Sequence, residues 1–258
     1  MTKEQLGRLL AMLLVVVTGA VSLNALLTRG LTHASAAAQI YRVYLPVVTR
    51  SAPTSPTPTP VPPAIPCTVV PGTVNLANVS VRSAYGSVYV TGELQNNTGS
   101  DMYFARLGIT FYNPDGTVAG SGSGYVPYDW IPGGSKAPFK LSASVQAGWS
   151  RCQLSVSWDT SSFITYGHDF TIINTNAYWS GGLYYVVGEV RNDTPYTWNF
   201  VKAVVTIYDT SGRVIDVASG YVTLTKLMPG QTASFSTLFY GPHLSTMANY
   251  TVGAEGWR

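Results

Sequence analysis

Apolar and polar residues alternate with period two through much of the chain beyond residue 70. In Val88-Tyr-Val-Thr-Gly-Glu-Leu-Gln, positions 88, 90 and 94 are apolar and 91, 93 and 95 polar. Tyr184, Val186 and Val190 repeat the pattern against Val187, Glu189 and Arg191. Ala105, Leu107, Ile109 and Phe111 form a further set, matched by Val201, Ala203, Val205 and Ile207. Successive side chains of a strand point to opposite faces, so each set predicts a strand with one face in a core. Asn113-Pro-Asp-Gly and Asp209-Thr-Ser-Gly follow and predict hairpin turns, with Gly at the position that needs φ > 0. No window carries a convincing helical period. Short strands with turns every ~8–12 residues predict an all-β chain built as antiparallel β-sandwiches.

The strand pattern occurs twice, at an offset of 96 residues. Over 88–126 against 184–222, 15 of 39 positions are identical, among them Gly92/Gly188, Glu93/Glu189, Asn96/Asn192, Thr98/Thr194 and Tyr112/Tyr208. Copies of ~95 residues fit two tandem domains, here 67–158 and 159–258, rather than a solenoid. The string Val205-Thr-Ile-Tyr-Asp209, preceded by Gly188-Glu-Val-Arg-Asn192-Asp-Thr194, resembles the FxLYD domain family. The first copy carries Ile109-Thr-Phe-Tyr-Asn113 after Gly92-Glu-Leu-Gln-Asn96-Asn-Thr98. Ile109 and Val205 stand where the family name has Phe, and Asn113 stands where it has Asp. The resemblance covers roughly 75–158 and 170–257. It implies immunoglobulin-like sandwiches in an exported prokaryotic protein, with no catalytic residues.

Ahead of the repeat, residues 1–38 read as an export signal. Lys3 and Arg8 precede the apolar run Leu9 to Val17, and Ala34-Ser35-Ala36 and Ala36-Ala37-Ala38 fit a signal-peptidase site. The rival reading is an uncleaved anchor, since Leu9 to Leu27 is long enough to span a bilayer at ~1.5 Å per residue. Residues 39–66 read as a linker: Ser51 to Pro66 holds seven prolines and predicts an extended, solvated spacer. The apolar Val43 to Val48 just before it is either a sticky strand or a stretch of no importance.

Charged residues are only 10% of the chain. Without residues 1–38 it carries 12 basic and 11 acidic groups, with no Lys/Arg run, so nucleic-acid binding has no electrostatic footprint. Cys67 and Cys152 are the only cysteines and are expected to form a disulfide in an exported protein, fastening the spacer's end to the first domain. Outside the signal the only histidines are His168 and His243, neither in a pattern that builds a triad. The two Asn/Asp turns lack the further oxygen ligands of a calcium loop, and the Cys and His spacings suit no zinc site. No metal, cofactor or catalytic residue is expected.

Glu93 and Glu189 read as solvated strand-face residues. A hairpin centred after the Asn-x-Thr motif would pair Glu93 with Arg106 and Glu189 with Lys202. Trp130, Trp149, Trp179 and Trp198 fall in predicted loops or strand edges, where flat rings either stack on sugar faces or pack on the core. The function expected is an exported, non-enzymatic interaction or structural protein at the cell surface or envelope, with an unknown protein or envelope partner. The alternative is a carbohydrate- or cell-wall-binding module using those four tryptophans. Membrane contact is expected only through the N-terminal segment, if it stays uncleaved.

Overall fold

The alternating segments fold as strands in four sheets. The computed structural model describes residues 67–70 and 74–258, which fall in one compact unit. The export segment, the spacer and the Val43 to Val48 run lie outside the described residues. In the first half, the strands are β1 (Cys67–Val70), β2 (Val74–Ala84), β3 (Ser87–Asn96), β4 (Met102–Tyr112), β5 (Val118–Tyr125), β6 (Trp130–Ile131), β7 (Lys136–Ala143) and β8 (Arg151–Asp159). They form one sheet ordered β1-β8-β4-β5, with β6 also on β4, and one ordered β2-β3-β7. The second half has β9 (Tyr166–Gly167), β10 (Phe170–Ser180), β11 (Leu183–Asn192), β12 (Trp198–Asp209), β13 (Val214–Tyr221), β14 (Lys226–Leu227), β15 (Thr232–Phe239) and β16 (Met247–Trp257). Its sheets are β13-β12-β16-β9, with β14 on β12, and β10-β11-β15. From β2 to β8 and from β10 to β16 the halves match strand for strand.

In each half the two sheets face each other across an apolar core. Val90, Leu94, Leu107, Ile109 and Phe111 are buried in the first core, and Val186, Val190, Val205 and Ile207 in the second, as the period-two pattern requires. Each such side chain contributes roughly 1.5–3 kcal/mol by leaving water. The shared Gly-Glu has a packing cause. A Cβ at Gly92 would lie 2.8 Å from the Phe139 ring, and one at Gly188 2.8 Å from Phe235. Both hairpin turns form as predicted: the N–H of Gly116 bonds the Asn113 carbonyl and that of Gly212 the Asp209 carbonyl, each at 3.0 Å.

The expected Glu93–Arg106 and Glu189–Lys202 pairs do not form, because β3 and β4 lie in different sheets. β3 pairs with β2 and β7, which places Glu93 opposite Ala77 and Pro138; β11 places Glu189 opposite Ile173 and Ser234. The Asn-x-Thr motif holds the crossover that separates them. Asn96 Nδ2 donates to the carbonyls of Ser100 and Ile131, and its Oδ1 accepts from the backbone N–H and hydroxyl of Thr98. Asn192 does the same with Tyr196, Leu227 and Thr194. Each buried amide satisfies the backbone of a wide connection where a tight turn would have satisfied itself.

Cys67 and Cys152 are disulfide-bonded, and β1 runs parallel to β8 with these two residues opposite each other. The closed ring spans 85 residues, which removes about 4–5 kcal/mol of unfolded-state chain entropy.

Candidate functional site at the junction of the two halves

The outward face of β2-β3-β7 is covered by the outward face of β12 and β13. The contrast between equivalent strands shows it: β12 is buried on both faces, whereas β4 keeps its outer face open around Arg106. At the centre Val204, Val214 and Val217 pack with Tyr128 and Tyr208. The Val214 carbonyl accepts from the hydroxyls of both Ser80 and Thr91, which ties β13 to β2 and β3.

Two carboxylates flank this apolar centre. Glu255 on β16 is 1% exposed. Its Oε2 accepts from the Asp129 N–H at 2.9 Å and pairs with Lys202 Nζ at 3.0 Å. Its Oε1 accepts from the Trp130 N–H at 2.9 Å and lies 3.2 Å from His168 Nε2. Lys202 Nζ also reaches Asp129 Oδ2 at 2.8 Å. Burial alone would raise the Glu255 carboxyl; the His168 bond, the Lys202 charge and the Asp129 N–H outweigh it and hold it below the usual carboxylate range. Burial lowers the Lys202 ammonium, but Glu255 and Asp129 together bring it above its ordinary value.

The second carboxylate is Asp216 on β13, which meets Lys140 Nζ at 2.6 Å, His243 Nε2 at 2.9 Å and Arg82 at 3.9 Å. Burial would raise it, yet the His243 bond and the Lys140 charge keep it below the usual range. Burial lowers the Arg82 guanidinium. Both histidines outside the export segment therefore sit against a buried carboxylate at the junction, a placement that sequence adjacency of His168 and Asp169 did not suggest. Glu93 is buried here as well, not solvated: Asn78 Nδ2, Lys136 Nζ and the Tyr208 hydroxyl converge on its carboxylate. Glu189, its counterpart, is only partly buried and bonds Asn174.

Of the four candidate tryptophans, the structure brings two together. Trp130 and Trp198 line one cleft of about 310 Å³, shared with Tyr166, Tyr196, Asp169 and Arg258. Trp130 comes from the first half and the others from the second. On its other side Trp130 borders a smaller cavity of about 230 Å³ with Tyr128, Lys136 and His168. The Trp130 indole N–H is buried with no acceptor among the described residues. Trp198 is buried; its ring packs on Gly167, where a Cβ would come within 2.3 Å, and its N–H bonds the Thr194 hydroxyl. Trp149 lies edge-on to Phe111, 4.7 Å between centroids, as part of the first core. Trp179 is 53% exposed and packs on Tyr184, away from the cleft lining. Tyr166, Tyr196, Asp169 and Arg258 had no signal in the sequence, because they gather from three separate segments.

No family model matches the chain, and no curated protein matches it. The FxLYD resemblance thus rests on the two strand-and-turn strings alone. Among solved structures the chain is similar to red sea bream transglutaminase, at 9% identity over 71% of this chain and 29% of that one, with a TM-score of 0.22. It is also similar to the Amycolatopsis orientalis exo-chitosanase in complex with PNP-β-D-glucosamine, at 14% identity over 69% and 25%, TM-score 0.25. A third is a Bacteroides uniformis β-glucuronidase 2, at 14% over 64% and 23%, TM-score 0.19. The chain spans under a third of each of these proteins, and likeness at such TM-scores carries no argument about function.

Proposed function

We propose that the chain is an exported, non-enzymatic interaction protein. In this reading two tandem immunoglobulin-like domains of FxLYD type act as one body at the envelope, and the partner is an envelope protein that adds an extended segment to the edge of β16. The observation that carries it is a difference between equivalent edges. In the first half β1 lies along β8 and covers Cys152 and Leu154, which are fully buried. Register places Tyr250 and Val252 of β16 at the same positions, opposite Ile207 and Val205 as Cys152 and Leu154 are opposite Phe111 and Ile109. Among the described residues only the two-residue β9 pairs with this edge, at Gly256 and Trp257. Tyr250 and Val252 stay partly exposed. Met247-Ala-Asn-Tyr-Thr-Val-Gly253 carries no charge and no proline, the usual guards of an open edge. An added strand would gain main-chain hydrogen bonds and cover those two side chains, as β1 does in the first half.

Export is supported by the signal pattern and by the disulfide. A non-enzymatic role is supported by the commitment of His168 and His243 to carboxylates, with no nucleophile bonded to either ring among the described residues. The test is capture from envelope extract on the full chain and on Ala248→Lys, whose ammonium would stand at the edge. The captured protein should protect the Met247–Gly253 amides from hydrogen exchange and be lost on the Lys variant. Undiminished capture by Ala248→Lys, or protection elsewhere, would overturn the reading.

A further inference from the structure

We propose that the cleft between Trp130 and Trp198 binds a neutral oligosaccharide, a site separate from the β16 edge and built from both halves of the chain. The cleft volume of about 310 Å³ lies at the lower end of the ~300–1,000 Å³ typical of ligand sites, which suits one or two sugar rings. Its walls supply two rings open to apolar sugar faces, Tyr196 at 48% exposed and the partly exposed Trp130, while Trp198 and Tyr166 are buried and form the floor behind them. Its polar groups supply hydrogen bonds for hydroxyls: the Asp169 carboxylate accepts, the Arg258 guanidinium donates, and the Thr165 hydroxyl can do either, whereas the Thr194 hydroxyl is taken up by Asn192 and Trp198.

The charge balance selects among ligands. Asp169 opposes an anion and Arg258 opposes a cation, while a purely apolar ligand would displace water from both charges and offer them nothing in return. A ligand with flat C–H faces and an uncharged rim of hydroxyls meets all of these demands. The groups are held in place before any ligand arrives. Arg258 is fixed to Thr165 by a reciprocal pair of backbone hydrogen bonds of 2.9 and 3.2 Å, and its guanidinium lies 3.9 Å over the Tyr196 ring. Trp130 is held by β6 on β4 and by its backbone N–H on the buried Glu255. Because Trp130 belongs to one half and the facing groups to the other, the site exists only while the junction is closed, and an occupant in turn favours the closed junction.

The experiment is titration of the full chain with tetra-N-acetylchitotetraose, cellotetraose and mannotetraose, followed by tryptophan fluorescence and calorimetry. At least one sugar should bind at submillimolar to millimolar concentration. Tyr196→Ala, a surface change that leaves the core intact, should weaken it about two- to tenfold, the loss of one ring contact. Arg258→Ala should also weaken it, Lys202→Met should weaken it through the junction, and Trp179→Ala should leave it unchanged. No binding of any of the three sugars, binding untouched by Tyr196→Ala and Arg258→Ala, or equal loss on Trp179→Ala would each overturn the proposal.

Discussion

Replacing Glu255 by Gln preserves the volume of the side chain and removes its charge. Four donors converge on the two carboxylate oxygens: the Asp129 and Trp130 N–H groups, Lys202 Nζ and His168 Nε2. Glutamine offers one oxygen and one NH₂, so two of those donors would face another donor. Breaking a buried pair costs about 3–5 kcal/mol, and a hydrogen bond to a charged group is worth about 1.5–3 kcal/mol. Lys202 keeps Asp129 as a partner, which brings the expected loss to the low end, about 3 kcal/mol. With a urea dependence of about 1–3 kcal/mol per molar, the midpoint should fall by roughly 1–3 M. Unfolding in urea at pH 7, read by tryptophan fluorescence, measures this. The pH dependence gives a second check. The folded-state carboxyl lies below its ordinary value, so its contribution is complete above about pH 4–5 and is lost as pH falls through the folded pKa. The gap between wild type and Glu255→Gln should therefore narrow on acidification. A loss below about 0.5 kcal/mol at pH 7, or a gap that stays constant down to about pH 2, would refute a junction held by this charge cluster.

Three further outcomes test the architecture. Reduction of Cys67–Cys152 should lower the stability of the first half by up to about 4–5 kcal/mol, seen as a reductant-dependent unfolding midpoint, and an unchanged midpoint would contradict it. Asn192→Ala strips the buried Leu227 carbonyl and the Thr194 N–H of their partner and should cost about 2–3 kcal/mol by calorimetry or urea; Asn192→Asp should not rescue it, since the carboxylate cannot donate to that carbonyl. Gly92→Ala should cost about 1–3 kcal/mol through its clash with Phe139, and the double change with Phe139→Leu should recover part of that loss if the clash is the cause.

The strands were legible because their signal is local. Val88, Val90 and Leu94, and then Ala105 to Phe111, alternate so regularly that each inward face could be named from the sequence, and all of those residues are buried. The turn at Asn113 to Gly116 was legible for the same reason. Sheet membership was not, because it depends on what the chain does at Asn96. An asparagine followed by a threonine reads as a turn, and the sequence does not display that the amide reaches the carbonyl of Ile131, 35 residues away. That contact lies in the connection that carries the chain from one sheet to the other, and the change of sheet removes the Glu93–Arg106 pairing. The cleft was half legible: Trp130 and Trp198 were candidates as isolated tryptophans, but only tertiary packing brings them to one wall with Arg258.

The junction was hidden for a more instructive reason. The repeat is visible through its identities, and identities mark what both copies need in order to fold. A junction between copies shows in the sequence only where they differ, even though shared residues such as Glu93 and Tyr208 also meet in it. Arg106 and Lys202 occupy the same strand position, opposite Ser157 in one half and Glu255 in the other. Arg106 donates to the Ser123 hydroxyl on an open face, while Lys202 is buried between two acids. Asp216 stands where the first copy has Gly120, as their shared register opposite Ile207 and Phe111 shows. On the other side of the contact, Lys140 and Arg82 stand where the second copy has Ser236 and Tyr178. Each of these charges occupies an outward position of a strand whose inward face is largely apolar in both copies. Glu255, Asp216, Lys140 and Arg82 are thus charges present in one copy and absent from the other at outward positions, and all four lie on faces that have acquired a neighbour, whereas at Lys202 the charge is shared with Arg106 and only the neighbour differs. Burying such a charge is costly unless it is paired, so charges of opposite sign must appear on both surfaces together, as Asp216 does with Lys140 and Arg82.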